Sequence, residues 1–422
     1  MKEDFLHYIW LHKKLDVTNL FTCKKEKIEI LNFGQYLQGT GPDFFNAQLI
    51  IANQKWAGNI EIHLKSSDWY LHQHQTDSNY DNVILHVVWE HDVAVFRKDN
   101  SEIPVLELKQ YVSLKELLKY KELMLSKTWI NCECQISNVD VFVFDNWKER
   151  LFFERLERKS KLVFELLEVT KKDWEAVLFC LLAKNFGLNK NGEIICAMAK
   201  SIPYGIIRKE RQELAHLEAL FYGMTNLLNM DFQDVYFQTL RSNWDFLKIK
   251  YKLVELSNGS LEFYKLRPDN FPTIRLSQLA VLYNSVQNVF EKCISCNDIQ
   301  AFYKWFACSA SAYWDTHYNF DNESTRKRKI ISKNFMDLMI INTIIPLQFA
   351  YSNAIGKDNS EDIMKLIRQI QPEKNAIIQK FSYFNIPSKT AFDSQSLLQL
   401  KKEYCENNKC LSCAIGIHLI KN

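Results

Sequence analysis

Five of the ten histidines in this chain fall between Gly39 and His91, at His63, His72, His74, His86 and His91. The same stretch carries Asp43, Glu61, Asp68, Asp77 and Asp81, and no other segment concentrates so many groups of this kind. Imidazole nitrogens and carboxylate oxygens bind divalent ions and move protons. Carboxylates alone suit a hard ion such as Mg²⁺ or Mn²⁺, and each histidine added moves the preference towards Mn²⁺ or Zn²⁺. Such an ion orients a water and stabilises charge building on a phosphate.

Strand geometry decides which of these groups can meet. Apolar runs predict strands at Ile28–Phe33, Ala47–Ala52, Trp56–Leu64 and Val83–Glu90, with further short ones at Val93–Phe96 and Val105–Leu108. The run Gly39-Thr40-Gly41-Pro42 reads as a turn, and 53–55 as a hairpin turn. Alternate side chains on a strand share a face, so Glu61 and His63 project together while Ile60, Ile62 and Leu64 face a core. If the strand holding Val83–Glu90 lies beside theirs, His86 reaches the same pocket, and Asp43 joins it from the preceding hairpin. One pocket can therefore collect Asp43, Glu61 and His86 as candidate metal ligands, with His63 as base or ligand and Lys65 and His74 lining the site. Each residue also has an ordinary structural use. Asp43 can cap a turn, Glu61 can pair with Lys65, His86 can sit satisfied in a core, and the His72–His74 loop can be merely solvated.

A helix over roughly 2–15 precedes these strands, and Ser113 is placed to cap another. From about Val139 the pattern changes to a 3.6-residue repeat with opposite charges at i,i+4. Helices are expected at Trp174–Phe186, Ile206–Leu228, Asp234–Tyr251, Ser277–Glu291, Asp298–Ala312, Asp337–Tyr351, Glu361–Ile370 and Ser394–Tyr404, with Gly187 as a left-handed cap. The fold class is α+β: an N-terminal mixed-sheet α/β domain over 1–130, then a larger all-helical domain over 131–422.

Two further groups carry chemistry. Cys405, Cys410 and Cys413 have ligand spacing for a structural Zn²⁺ or an iron–sulfur cluster, given a fourth ligand from Cys132, Cys134, Cys293 or Cys296. Buried free thiols are the alternative. Arg326, Lys327 and Arg328 form the densest basic run, and Arg267 and Arg275 flank a proline-bearing turn. These five can contact the phosphates of DNA or RNA; solvated or loop-bracing roles are the alternative.

Composition is permissive. The 422 residues are 47% hydrophobic with a net charge of +3, so sizeable cores are possible and no bulk charge demands a polyanion. No apolar run reaches the length of a membrane span, and the N-terminus lacks a secretory pattern, so a cytoplasmic location away from the membrane is expected. Eleven cysteines then imply thiols or metal ligands rather than disulfides.

The order Pro42-Asp43, seventeen intervening residues, then Glu61-Ile62-His63 resembles the PD-(D/E)xK, or restriction-endonuclease-like, nuclease superfamily. The resemblance implies that Asp43 and Glu61 hold a metal and that a basic residue after Glu61 helps activate water. His63 stands where that superfamily has lysine. Some of its members carry an iron–sulfur cluster with three cysteines at the C-terminal end, with a spacing different from that of Cys405, Cys410 and Cys413. More broadly, GPDFFNAQL (41–49), GNIEIHLKSSDWYLHQH (58–74), LRPDNFPTIRLSQLA (266–280) and YCENNKCLSCAIG (404–416) resemble an uncharacterised bacterial domain-of-unknown-function family. The functional expectation is a metal-dependent nuclease-like protein acting on nucleic acid. The alternatives are a non-enzymatic nucleic-acid-binding or assembly scaffold on an inactive nuclease-like sheet, and a zinc-dependent hydrolase of a small substrate.

Overall fold

The computed structural model describes residues 1–37, 41–124, 129–257 and 261–421. Gly39 and Thr40 of the expected turn lie outside these. The chain divides into two compact units, one of Met1–Trp147 with Leu400–Asn422 and one of Lys148–Gln399. The units are cut differently from the 1–130 and 131–422 division. The C-terminal segment is helical by composition, yet it packs on the sheet unit, and composition carries no information about that return.

In the first unit, helix α1 (Glu3–Leu11) precedes a mixed sheet of β1 (Leu20–Phe21), β2 (Lys27–Asn32), β3 (Gln35–Tyr36), β4 (Phe44–Ile51), β5 (Gln54–Lys65), β6 (Val83–Glu90) and β7 (Val105–Glu107). The spatial order is β1-β2-β4-β5-β6-β7, with β3 beside β4. The pairs from β1 to β5 are antiparallel, whereas β5–β6 and β6–β7 are parallel. One face of β5 and β6 sends Ile60, Ile62, Leu85 and Val87 into a core shared with Phe5, Ile9 and Trp10 of α1. That alternation leaves Glu61, His63 and His86 together on the opposite face. Trp10 Nε1 donates to Phe33 O at 3.0 Å and fixes α1 against the chain leaving β2.

Short helix α2 (Asp68–Leu71) follows β5, and α3 (Leu114–Leu123) is capped as expected, Ser113 Oγ accepting from Glu116 N–H at 3.2 Å. Lys119 of α3 donates to Ile420 O at 3.0 Å, holding the C-terminal helix Ala414–Lys421 in the same unit. The expected strand at Val93–Phe96 is not one. Only a single bridge, Phe96 to Glu102, forms there. The N–H groups of Asp92 and Val93 go instead to Ser66 Oγ, at 3.0 and 3.3 Å, so the ladder never starts.

The second unit is largely helical, with one short hairpin, His317–Asn319 with Asn322–Glu323. Several long periodic stretches are broken where backbone geometry overrides periodicity. Ile206–Leu228 divides into Tyr204–Glu210 and Leu214–Met224. Ser277–Glu291 divides into Pro272–Ser285, which starts on its proline, and Val289–Ser295, which follows a left-handed Asn288. Asp298–Ala312 stops as an α-helix at Phe306. Around Asp337–Tyr351 the helical run is Lys333–Ala354, with a π turn at Ile340–Ile344 just ahead of Pro346. That turn accommodates the N–H that proline lacks. The run is long and apolar enough to cross a membrane by length and composition, but most of it is buried inside this unit. Gly187 is right-handed, with φ −73°, and Leu188, at φ 54°, takes the left-handed position instead.

Candidate metal centre

The site grows from the parallel register of β5 and β6, which sets Glu61 opposite His86 and His63 opposite Val88. His63 and His86 are fully buried and Glu61 nearly so. His63 Nδ1 shares a hydrogen bond of 2.8 Å with His86 Nε2. A proton on His63 Nδ1, donated to His86, leaves the His63 Nε2 lone pair facing the pocket. That tautomer is the one a ligating histidine adopts when its other nitrogen is held by a neighbour.

The loop after β5 supplies two more imidazoles. His72 closes α2, with its N–H on Asp68 O at 2.9 Å, and Gln73 then turns the chain with φ 60°. This left-handed residue brings His72 and His74 to the same side. His72 Nδ1 lies 3.1 Å from His63 Nε2. His74 Nε2 lies 3.4 Å from Glu61 Oε1, and His63 Nε2 lies 3.5 Å from the same oxygen. One ligand atom each from His63, His72 and His74 falls within 4.8 Å of the others, close enough to share one ion. Tyr80 stacks on His74, centroids 3.8 Å apart, and the Trp69 ring packs against His74 and His86. These aromatic contacts fix the rings that would carry ligand atoms.

Asp43 supports the site from just ahead of β4. Its N–H donates to Glu61 Oε2 at 3.2 Å, and its Oδ2 accepts from Ile62 N–H at 3.0 Å. The same oxygen lies 3.1 Å from His7 Nε2 of α1. Burial opposes charge on His7, but the bond to Asp43 and the nearby Asp43, Glu3 and Asp4 charges outweigh it and raise its pKa.

Burial, with Asp43 adding to it, pushes the Glu61 carboxyl up to about 9. Burial and the neighbouring imidazoles bring His63 down to about 2 and His86 down to about 3. Neutral imidazoles beside the Glu61 carboxyl offer nitrogen and oxygen lone pairs to one pocket. His74 Nε2 is also buried with no hydrogen-bond partner. A divalent ion would satisfy Glu61, His63, His72 and His74 at once, so the residues fit one.

The expected site residues are only partly gathered here. Asp43, Glu61, His63 and His74 meet, but His86 stands behind His63 rather than facing Glu61. Lys65 is exposed at the end of β5, with its N–H on Asp68 Oδ2. His72 and His7 were not among the expected site residues. The His72-x-His74 spacing was a usable signal for the first, whereas His7 lies too far off in sequence to have given one. In the second unit Arg267, Arg275, Lys327 and Arg328 line one depression together with Lys329, while Arg326 lies exposed outside it. Arg275 is buried, lies over the Phe335 ring at 3.8 Å and leaves its Nε without a partner. Cys405, Cys410 and Cys413 lie in the first unit, around a different cavity.

Fold and site together describe a mixed α/β protein with an N-terminal mixed sheet, a largely helical remainder and a histidine–carboxylate cluster on the sheet. The chain belongs to the family described as Protein of unknown function (DUF2851), whose model matches residues 3–376. The YCENNKCLSCAIG stretch (404–416) falls beyond that match. No curated protein and no solved structure matches the chain.

Proposed function

We propose that this protein is a metal-dependent hydrolase of nucleic-acid phosphodiesters, its ion held by His63, His72, His74 and Glu61. The observation that carries the reading is the convergence of three imidazole donors within 4.8 Å, with the buried Glu61 carboxylate beside two of them. That donor set favours Mn²⁺ or Zn²⁺ over Mg²⁺. A bound ion of this class supplies a water acidic enough to attack at neutral pH and a positive charge for the phosphate.

The chain's own residues divide the remaining work. Glu61 would give up its proton as an ion bound and then hold it as a carboxylate. His86 holds the His63 ring. Asp43, with Oδ2 already engaged by Ile62 and His7, orients Glu61 through its own N–H. The nuclease resemblance is supported by adjacency: Asp43 leads into β4, the Glu61-x-His63 pair lies on β5, and these strands form one antiparallel pair. The basic depression of the helical unit supports a polyanionic partner, because Arg267, Lys327 and Arg328 line it together.

The test is cleavage of single- and double-stranded DNA and RNA with Mn²⁺, Zn²⁺ or Mg²⁺, using wild type beside Glu61→Ala, His72→Ala and Asp43→Ala. The reading expects cleavage by wild type, reduced at least about 10²-fold in the first two variants, a loss comparable to removing a main catalytic group. Absence of cleavage with every metal and substrate would overturn it. The three-imidazole set also suits a zinc hydrolase of a small substrate. That second reading would be favoured by ester or phosphomonoester hydrolysis dependent on His72, without nucleic-acid cleavage. Nucleic-acid binding that is unchanged in Asp43→Ala and Glu61→Ala, with no hydrolysis, would favour the scaffold.

A further inference from the structure

Four thiols from two distant parts of the chain meet in the first unit. Cys132 sits in the turn after Ile130, its carbonyl accepting from the N–H groups of Gln135 at 2.9 Å and Ile136 at 2.8 Å. Cys405 ends the π turn Leu400–Cys405, Cys410 opens the 3₁₀ turn Cys410–Ser412, and Cys413 follows it. All four line one small cavity, walled also by Leu123 and Tyr404. Of the expected candidates for a fourth ligand, Cys132 alone lines it. Cys134 is exposed, and Cys293 and Cys296 belong to the other unit.

The surroundings are shaped around the sulfurs. Asn131 Nδ2 donates to Cys410 Sγ at 3.4 Å and to Asn408 Oδ1 at 3.2 Å, so one amide holds the C-terminal end of the Cys405–Cys410 loop. Cys413 N–H donates to Cys410 O at 3.3 Å, closing the Cys-x2-Cys turn. Gly416 comes so near that turn that a Cβ would fall 2.1 Å from Cys410 O, and any side chain there would push the cysteine loop away. Burial raises the proton affinity of all four thiols, to about 12 for Cys132 and about 11 for Cys413, and neighbouring thiols raise Cys132 and Cys405 further. The buried Lys401 places a cation within the field of Cys405. An isolated buried cysteine packs as a small hydrophobe. Four that line one cavity, with an N–H donor on one sulfur and a cation near another, form a candidate ligand set with supporting groups.

We infer that Cys132, Cys405, Cys410 and Cys413 together bind one thiophilic metal centre, a zinc ion or an iron–sulfur cluster, which fastens the C-terminal segment to the sheet unit. Binding releases the four thiol protons to solvent and leaves four thiolates on the metal. With Zn²⁺ no electron is transferred. A cluster requires iron and sulfide as co-reactants. Because the ligands come from both ends of a long chain excursion, the centre would close the discontinuous unit much as a cross-link closes a large loop. This site shares no residue with the histidine site, so either proposal can fail alone.

The test uses full-length protein purified without oxygen, assayed for zinc, iron, acid-labile sulfide and visible charge-transfer absorption. Wild type is compared with Cys132→Ser, Cys413→Ser and, as a control, Cys296→Ser. With His72→Ala in every protein to silence the histidine site, one centre per chain is expected in the parent and the control, and complete loss in the other two. Zinc without sulfide identifies the single ion; iron with matching sulfide identifies the cluster. In case the variants misfold, metal-free wild type is titrated with Zn²⁺, or with ferrous iron and sulfide, while its reactive thiols are counted. Four thiols should become protected as the centre forms. Wild type that takes up neither metal, a thiol count unchanged by metal, or a Cys132→Ser protein retaining the full complement would overturn the inference.

Discussion

The His63 Nδ1 and His86 Nε2 atoms, 2.8 Å apart, tie two parallel strands together at the floor of the histidine cluster. His86 itself is fully buried and its Nδ1 has no hydrogen-bond partner, so its engagement with the site runs through His63. Replacing His86 by Ala should weaken metal binding roughly 10–100-fold without removing a ligand, as loss of a second-layer partner does. His86→Gln, whose amide oxygen can accept from Nδ1–H, should recover part of the affinity. Competitive metal titration against a chromophoric chelator checks both. Equal affinity in wild type and His86→Ala would show that His63 needs no such support.

Glu210 tests the helical unit through pH. Burial alone would raise its pKa, but bonds from Lys250, Tyr251 and His216 outweigh that and bring it down to about 2 from an ordinary 4.5. A carboxyl whose folded pKa is depressed contributes stability above the unfolded value and loses it as pH falls towards the folded one. Glu210→Gln should therefore destabilise the protein by about 1.5–3 kcal/mol at neutral pH, the range for hydrogen bonds to a charged group. The gap between variant and wild type should narrow from about pH 4.5 down to about pH 2. Chemical denaturation across that window measures it.

Gly223 sets helix propensity against packing. Alanine inside a helix is favoured over glycine by about 1 kcal/mol. A Cβ at Gly223, however, would lie 2.1 Å from Trp244 Cδ2, and Trp244 is itself buried in the core. Overpacking of this kind costs typically about 1–3 kcal/mol, so Gly223→Ala should lower stability on balance. A thermal midpoint at or above that of wild type would mean that Trp244 can move aside.

The basic depression predicts a salt signature. Lys327 pairs with Asp269 at 2.7 Å, while Arg275 is buried with its Nε unpartnered. Arg275→Ala should weaken nucleic-acid binding and reduce the salt slope by about one unit if it meets a phosphate. Affinity measured over a range of salt concentrations decides this. An unchanged slope would assign Arg275 to bracing Asn270 and Gln278, to which it donates at 2.5 and 2.9 Å.

How much of this was legible in the sequence follows from which interactions are local. The strands around Glu61 and His86 carry strong local patterns, so their existence and the shared face of Glu61 and His63 could be read directly. The parallel pairing of β5 with β6 fulfils the one condition that the sequence left open. Local spacing could not show that Oδ2 of Asp43 is taken by His7, a residue on another element. Nor could it show that Gln73 would turn left-handed and deliver His72 with His74. The helical breaks at Asn288 and before Pro346 came from backbone geometry overriding a continuous apolar repeat. The return of residues 400–422 to the first unit is a long-range packing result. It is also the event that brings Cys132 to the C-terminal thiols.

The central claim is that His63, His72 and His74 share one divalent ion beside Glu61. Its most direct test is calorimetric titration of metal-free protein with Mn²⁺ and Zn²⁺, comparing wild type with His72→Ala, an exposed position where truncation should leave the fold intact. The Cys413→Ser background separates this site from the thiols. One ion per chain is expected in that background, with affinity falling at least about tenfold when His72 is removed. A folded wild-type site that takes up no ion, or one whose affinity is unchanged without His72, would contradict it.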